Sequence, residues 1–389
     1  MQLNPGVTTR RLIAGAIRLW AAVSRPFRRH RPVPSGPIKR ILLLNGAHIG
    51  DVVISTSLLP VLRDAYPGAE FGFLVGSWSL PVVQGHPEVS FTHVIDHWRL
   101  NRSKQSPATK LLRTWRMSRK AKRQIRQVGY DAALSLHCWY PDFVHLAWSA
   151  DIPTRVAYRH SWFAAFATHL VQFPQQSFIH QGRRIAEILR PLPGVTEAHL
   201  AKRHSLLAAS TPSSQREVCD LLNVSRIEDA RYVVVHVGSG EPGREMPTEF
   251  WRAIAAELSR DEVLLFTGRG ERERQMINGI IEGLDHCVSG CDRLTWNGFV
   301  TAVRNARKLY GVESMAGHVA AAVGTPCTVV YTGTAGVARW RPEGDLTTVF
   351  TQHVPCAPCG IPSGCDHMTC IRAITPETIL RSEKGVSNQ

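Results

Sequence analysis

Asp51 stands where an apolar run meets two glycines, in the stretch ILLLNGAHIGDVVIS. Gly46 and Gly50 flank the loop, but their spacing lacks the G-x-G start of a dinucleotide fingerprint. A carboxylate here has two interpretations. It could cap the following helix, which stabilises a helix by about 1 kcal/mol, or it could serve a ligand, since ligands bind at this end of the strands in open α/β sheets. The residues alone leave both open.

Three loops in the second half carry residues suited to phosphate binding. The first, GSGEPGREMP, combines glycines that let a backbone approach a phosphate with Arg244, whose guanidinium offers a fork of donors. In the second, TGRGERE, Arg269 stands between two glycines. The third, ESMAGH, places an acid and a serine directly before a helix. Each alone is typical of an ordinary turn, whereas the three together at one sheet edge indicate a nucleoside diphosphate.

Short β-branched runs alternate with helix-like segments from residue 39 onward, and these elements must position the loops. The first series predicts strands at 40–45, 70–76, 91–96, 131–137 and 154–158, and helices at 52–66, 108–128 and 179–190. After a polar stretch near residue 205, a second series begins at YVVVHVGSG. The pattern predicts two Rossmann-like domains with parallel sheets, in which ligands bind at the carboxyl ends of the strands.

The chain has 389 residues and a formal net charge of +15, which favours two domains and anionic partners. Two segments without any acid, 10–40 and 99–127, carry much of the surplus. The apolar run of the first segment is too short to cross a bilayer, and the segment suits a helix that lies among lipid headgroups. In the second, a helix is expected to carry one apolar stripe of Leu111, Leu112, Trp115, Ile125 and Val128.

Four of the nine cysteines lie in CAPCGIPSGCDHMTC, as Cys356, Cys359, Cys365 and Cys370. Four thiolates in so short a loop suit a structural zinc. Disulfides, free thiols and an iron–sulfur cluster stay open as alternatives. Because no secretory signal is evident, a reducing cytoplasm is the expected setting.

Taken in order, these pieces resemble glycosyltransferase family 9, the ADP-heptose:lipopolysaccharide heptosyltransferase family. The matching segments cover residues 39–380 and include the Asp51 stretch, GYDAALSLH, PTRVAYR, the three phosphate-type loops and CIRAITPETIL. The resemblance implies an α/β GT-B fold, whose two Rossmann-like domains have parallel sheets facing a central cleft. We expect a basic leader at 1–38, an acceptor domain at 39–205 and a donor domain at 206–389 that contains the Cys-rich loop 356–370.

The resemblance also implies roles for individual residues. Asp51 would be the general base, and Arg244 with the backbone N–H groups of 315–318 would receive the charge of the leaving diphosphate without an obligatory metal. Glu271 or Glu273 would bind a ribose hydroxyl, His48 the acceptor and His318 the diphosphate. The expected acceptor residues are Gly46, His48 and Gly50. The expected donor residues are Gly238, Ser239, Arg244, Thr267, Gly268, Glu271, Glu273, Glu313, Ser314, Met315, Ala316, Gly317 and His318.

Four departures from the family pattern bear on specificity. Arg244 stands where lysine is common, Met246 where tryptophan is common, Glu313 in place of aspartate and Met315 in place of glycine. At Arg244 and Met246 the charge is kept but the packing differs, whereas Glu313 and Met315 indicate a different nucleotide or sugar, or a loss of activity.

The sequence thus predicts an inverting glycosyltransferase that moves heptose or a related sugar from an ADP-heptose-like donor to a lipopolysaccharide core or similar glycolipid. It would work in the cytoplasm, peripherally on the anionic inner face of the inner membrane. One alternative is a catalytically silent GT-B protein that binds a nucleotide or lipid. The other, a nucleic-acid-binding protein, is disfavoured because no base-reading module or aromatic interleaving occurs.

Overall fold

The computed structural model describes residues 15–17, 19–23, 36–137, 142–176 and 178–386, with side chains through 381. Much of the predicted leader at 1–38 lies outside the described residues. The chain divides into two compact units. The N-terminal unit runs to Gln175 and includes Gln181–His204, and the C-terminal unit comprises Gln176–His180 and the chain from Ser205. Within the described ranges, no helix combines the length and the apolar character needed to span a membrane.

The N-terminal unit is built on a six-stranded parallel sheet of order β3-β2-β1-β4-β5-β6. Apolar side chains on β1 and β4 are buried, as expected for strands covered on both faces. The strands are β1 Arg40–Leu44, β2 Glu70–Val75, β3 Phe91–Val94, β4 Ala132–Ser135, β5 Thr154–Tyr158 and β6 His169–Val171.

Helices connect these strands. The α-helices are α1 Ile49–Ser55, α2 Leu58–Ala65, α3 Leu80–Val83, α4 Pro107–Val128, α5 Val144–Ser149, α6 Gln181–Ala186 and α7 Glu197–Ala201. Short 3-10 helices occur at Ala164–Phe166 and Glu187–Leu189. Residues 15–17 and 19–23 are also helical.

The C-terminal unit has a second six-stranded parallel sheet, of order β12-β11-β10-β7-β8-β9. Its strands are β7 Tyr232–His236, β8 Val263–Thr267, β9 Cys287–Ser289, β10 Leu309–Val312, β11 Cys327–Tyr331 and β12 Thr347–Thr351. Its α-helices are α8 Pro212–Leu222, α9 Thr248–Leu258, α10 Glu271–Ile281, α11 Trp296–Asn305, α12 Met315–Val323, α13 Val337–Trp340, α14 Thr369–Arg372 and α15 Pro376–Val386. The 3-10 helices are Ile227–Asp229 and Pro242–Arg244.

Both sheets have the same strand order when each is numbered from its own first strand. The order reverses between β1 and β4 in one unit and between β7 and β10 in the other. In open parallel sheets, the connections on either side of such a point diverge and leave a crevice at the carboxyl ends of the strands. The topology therefore predicts a binding crevice beside the Asp51 loop and another beside the loops that follow β7 and β10.

Two predicted helices differ from the structure in instructive ways. The helix predicted at 52–66 is two helices, because the chain turns at Thr56–Ser57 between α1 and α2. In α4, Ile125 is buried and Val128 packs against the core, whereas Leu111, Leu112 and Trp115 are exposed. The predicted apolar stripe is therefore covered only in the C-terminal half of α4, which packs on the sheet.

Gly311 of β10 lies against the neighbouring strand at the reversal point. A Cβ atom there would be 2.9 Å from the carbonyl oxygen of His236 on β7. We expect Gly311→Ala to lower the free energy of unfolding by about 1–3 kcal/mol, because backbone rather than a flexible side chain would have to move. Urea unfolding followed by circular dichroism measures this change.

Gly279 in α10 provides the matched control, since a Cβ there would meet only Thr248 Cγ2 at 3.6 Å. Gly279→Ala should raise the free energy of unfolding by about 0.5–1 kcal/mol, because alanine favours a helix. Equal effects of the two substitutions would contradict the close strand approach at Gly311.

Candidate active site

Asn45 ties the end of β1 to the first turns of α1. Its side-chain amide donates to Asp51 O at 3.2 Å and to Ser55 Oγ at 2.6 Å. Its Oδ1 accepts from Ala47 N at 3.1 Å, and Ser55 Oγ donates to Asp51 O at 2.8 Å. These bonds hold the Asp51 backbone firmly at the sheet edge without using its carboxylate.

Asp51 is the third residue of α1 and does not cap it. The residue before the helix is His48, whose side chain makes no capping hydrogen bond. The Asp51 side chain is half-buried. Among the described residues, its carboxylate has no recorded hydrogen bond or ion pair. The capping interpretation of Asp51 therefore fails, and the carboxylate stands available to a ligand.

Aromatic side chains that the sequence did not single out shape this loop. Trp78 Nε1 donates to Ala47 O at 2.8 Å, and the Trp78 ring lies 6.2 Å from that of His48. A Cβ at Gly46 would fall 2.4 Å from the Phe143 ring, so only glycine fits there without displacement. Gly50 lies inside α1 and is half-buried. The three predicted acceptor residues thus share one short loop and helix start.

In the C-terminal unit, Arg244 ends the 3-10 helix that follows β7, beside two carboxylates. Its guanidinium pairs with Glu241 at 2.7 Å and with Glu313 at 3.4 Å. Its Nε is buried and finds no hydrogen-bond partner within the described part of the chain. The pairing with Glu313 joins the loops after β7 and β10 across the reversal point.

Glu313 directly follows β10 and is only 4% exposed. Its Oε2 is a buried acceptor that lacks a partner among the residues described. Burial raises the pKa of Glu313 to about 7; the Arg244 cation opposes this shift and Glu241 adds to it. The site therefore holds a carboxyl group that changes charge near neutral pH.

An unpredicted pair, Glu245 and Arg272, clamps the loop after β7. Glu245 accepts from Ser239 N at 2.8 Å and pairs with Arg272. Arg272 also donates to Ser239 O at 2.8 Å, while Ser239 Oγ donates to Glu313 O at 3.3 Å. Because Ser239 is held through both its backbone groups, the loop is rigid where Gly238 and Ser239 would meet a ligand. The sequence signal was only an ordinary acid and base 27 positions apart.

The two acids predicted to bind ribose differ in their surroundings. Glu273 accepts from Arg269 N at 2.9 Å, and its carboxylate would be 2.2 Å from a Cβ at Gly238. Burial raises the pKa of Glu273. Glu271 instead lies in solvent and pairs with Arg274 at 2.7 Å. Only Glu273 therefore faces the loop after β7.

The end of β8 contributes Thr267 and Gly268 to the same edge. Thr267 Oγ1 lies 3.0 Å from Nδ1 of the buried His236. A Cβ at Gly268 would approach Glu273 Oε2 to 2.9 Å. Gly268 therefore lies beside Glu273, and Thr267 lies beside His236.

The start of α12 supplies the remaining predicted donor residues. Ser314 caps the helix by accepting from Ala316 N at 3.4 Å, and Met315 is its first residue. Gly317 is buried, with Pro342 Cγ 2.8 Å from where its Cβ would lie. The pKa of His318 is lowered to about 4, chiefly by burial and also by His180, against an opposing effect of Glu343. At neutral pH, His318 would meet a ligand as an uncharged ring.

The Cys-rich loop packs onto the site loops. Cys359 N donates to Gly333 O after β11, and Gly243 N beside Arg244 donates to Pro362 O, each at 2.9 Å. Cys356 and Cys365 are exposed, whereas Cys370 is buried. The described residues contain no group of three metal-ligating side chains that could hold an ion. This arrangement does not assemble four thiolates, and the structural zinc stays a prediction.

A family model described as glycosyltransferase family 9 (heptosyltransferase) matches residues 118–363, more than half of the chain. The chain belongs to glycosyltransferase family 9. Lipopolysaccharide heptosyltransferase 1 of Pseudomonas aeruginosa is 23% identical over 339 residues, which cover 82% of this glycosyltransferase and 86% of the relative.

Solved structures agree with this family assignment. The E. coli ADP-heptose lipopolysaccharide heptosyltransferase II has a TM-score of 0.69 at 16% identity, over 89% of this chain and 98% of that one. The E. coli heptosyltransferase WaaC with ADP has a TM-score of 0.66 at 15% identity, over 89% and 99%. These similarities confirm the predicted α/β GT-B fold class.

The raised pKa of Glu313 predicts a pH dependence of stability. The folded protein keeps this proton up to about pH 7, whereas an unfolded chain loses it near the ordinary value of 4.5. Protonated Glu313 therefore leaves the free energy of unfolding at its full value below pH 4.5. This stability is lost as the pH rises through about 7. Glu313→Gln should gain stability relative to the unmodified protein over this range, by up to about 3 kcal/mol.

Urea unfolding at a series of pH values measures the difference between the two proteins. Glu271→Gln is the control for replacing a carboxylate by an amide at an exposed position of the same unit. A difference for Glu313→Gln that did not change with pH would contradict the buried, proton-holding Glu313.

Proposed function

We propose that this glycosyltransferase is an inverting heptosyltransferase that moves heptose or a related sugar from ADP-heptose, or a similar donor, to a lipopolysaccharide core precursor. The P. aeruginosa relative is named for lipopolysaccharide heptosyl transfer. One structural neighbour is named for ADP-heptose, and another was solved with ADP. The acceptor would be a glycolipid at the cytoplasmic face of the inner membrane, where this chain would act peripherally.

The observation that carries the proposal is the Asp51 carboxylate at the carboxyl edge of β1, which pairs with no side chain in the part of the chain that the structure describes. In the proposed reaction, Asp51 accepts the proton of an acceptor hydroxyl. The hydroxyl oxygen then forms a bond to the anomeric carbon as the bond from that carbon to the diphosphate oxygen breaks. Attack from the side opposite the leaving group inverts the anomeric centre. Gly46, His48 and Gly50 would border the acceptor.

Fixed charge in the C-terminal unit would receive the leaving diphosphate. Arg244 supplies a guanidinium suited to phosphate oxygens. The N–H groups at the start of α12, a nine-residue helix, add a partial positive charge. Such preorganised groups stabilise charge that develops in a transition state. The loops that hold Gly238, Ser239, Thr267, Gly268 and Glu273 would surround the nucleotide.

Glu313 competes with the diphosphate for Arg244. Its carboxylate lies 3.4 Å from the guanidinium, and its pKa of about 7 leaves it partly protonated near neutral pH. Protonation removes a negative charge from the proposed diphosphate site. The longer acid in place of aspartate would thus adjust donor binding and does not by itself argue for lost activity.

Asp51→Asn tests the proposal because asparagine keeps the side-chain shape but cannot accept the proton. We expect transfer to fall by about a hundredfold to ten-thousandfold, the usual contribution of a general base. Release of ADP from ADP-heptose, measured with a deacylated lipopolysaccharide core acceptor, gives the rate. NMR of the product gives its anomeric configuration, which should be opposite to that of the donor.

Asp64→Asn is the control, because Asp64 pairs with Lys202 at 2.8 Å and should not affect the chemistry. Unchanged transfer by Asp51→Asn would refute the base assignment. If the unmodified protein transferred nothing from ADP, GDP, UDP or CDP sugars yet was stabilised by a nucleotide, the silent GT-B alternative would hold.

A further inference from the structure

Three large apolar side chains are exposed together on the N-terminal half of α4. Leu111, Leu112 and Trp115 are 47%, 45% and 54% exposed. Leu111 and Leu112 precede Trp115 by four and three residues, so both are neighbours of Trp115 on the helix surface. Single exposed apolar residues are common, whereas a contiguous group on one helix marks an interaction surface.

Cationic side chains border this group. Arg116, Arg119 and Arg123 are exposed and recur at helical spacing after Leu112. The Arg119 guanidinium lies 4.8 Å from the centre of the Trp115 ring. Residues 99–127 contain no acid at all. We call Leu111, Leu112, Trp115, Arg116, Arg119 and Arg123 the docking face.

An anchor at Asp96 holds the docking face near the Asp51 loop. Asp96 follows β3 and accepts from Arg113 Nη2 of α4 at 2.8 Å and from Ser77 N at 2.8 Å. Thr114 Oγ1 donates to Asp96 O at 2.7 Å. Trp78, next to Ser77, donates to Ala47 O in the Asp51 loop. A short chain of hydrogen bonds therefore links the docking face to the Asp51 loop at one edge of the N-terminal sheet.

We propose that the docking face binds the surface of an anionic phospholipid bilayer. The two leucines would enter the acyl boundary, Trp115 would lie at headgroup level, and the arginines would face anionic headgroups. Charge complementarity favours this partner, and a nucleic-acid backbone would leave the leucines uncovered. The proposal rests on the proposed function, since it brings the Asp51 loop to an acceptor embedded in that bilayer.

Flotation with lipid vesicles tests the docking face. The full chain should bind vesicles of phosphatidylcholine mixed with phosphatidylglycerol and bind pure phosphatidylcholine weakly, and added salt should weaken the binding. The triple variant Leu111→Ser, Leu112→Ser, Trp115→Ser should bind the mixed vesicles at least about tenfold more weakly. Each of Arg116→Gln, Arg119→Gln and Arg123→Gln should weaken binding roughly fivefold.

Leu170→Ser combined with Leu346→Ser is the matched control. These leucines are 40% and 57% exposed but lie outside α4. The control should bind vesicles like the unmodified chain, and circular dichroism melting should show that both variants fold. Equal vesicle binding by the triple variant, or binding to an oligonucleotide without binding to either vesicle, would overturn the docking face.

Activity separates this proposal from the proposed function. The triple variant should transfer normally to a deacylated, water-soluble acceptor and poorly to an acceptor embedded in vesicles. If the docking face is wrong, the variant loses neither activity. If the proposed function is wrong, the unmodified chain transfers to neither acceptor, whatever its vesicle binding.

Discussion

The reversal of strand order at the centre of each parallel sheet is the constraint on which the remaining features depend. It separates the connections that leave β1 and β4, and those that leave β7 and β10, and so predicts a crevice at each carboxyl edge. Each crevice is then fixed by side chains that bond to the loop backbone. Asn45 does this after β1, and Glu245 with Arg272 does it after β7. The loops whose residues are proposed to react or bind are thereby held in place at the sheet edge.

The two crevices differ in charge, which suits different halves of one reaction. The edge after β1 presents the Asp51 carboxylate, unpaired among the residues described, on a short loop bordered by the rings of Trp78 and Phe143. The edge after β7 and β10 instead joins Arg244 to two carboxylates, one of them buried with a pKa near neutrality. Burying Glu313 beside only one cation opposes stability. This cost in stability suits a carboxyl group whose charge changes when a ligand binds at the proposed donor site.

Local signals in the sequence predicted much of this fold. The bounds of α4 follow from Ser106, which caps its start, and from Gly129, which ends it in a left-handed conformation. Contacts between residues far apart in the chain could not be predicted from such local signals. Trp78 reaches Ala47 across 31 positions, and Phe143 meets Gly46 only because β1 and β4 are neighbours. Helical periodicity predicted one apolar stripe on α4 but could not tell that only its C-terminal half packs on the sheet.

The central claim is that the crevice beside β7 and β10 binds the nucleoside diphosphate, and hydrogen–deuterium exchange tests it most directly. With saturating ADP, we predict slower exchange at residues 238–245 and 313–318, with 45–51 unchanged. The Asp51 loop should slow only when an acceptor is added. Protection by ADP at 45–51 alone, or no protection at 238–245 and 313–318, would contradict the account.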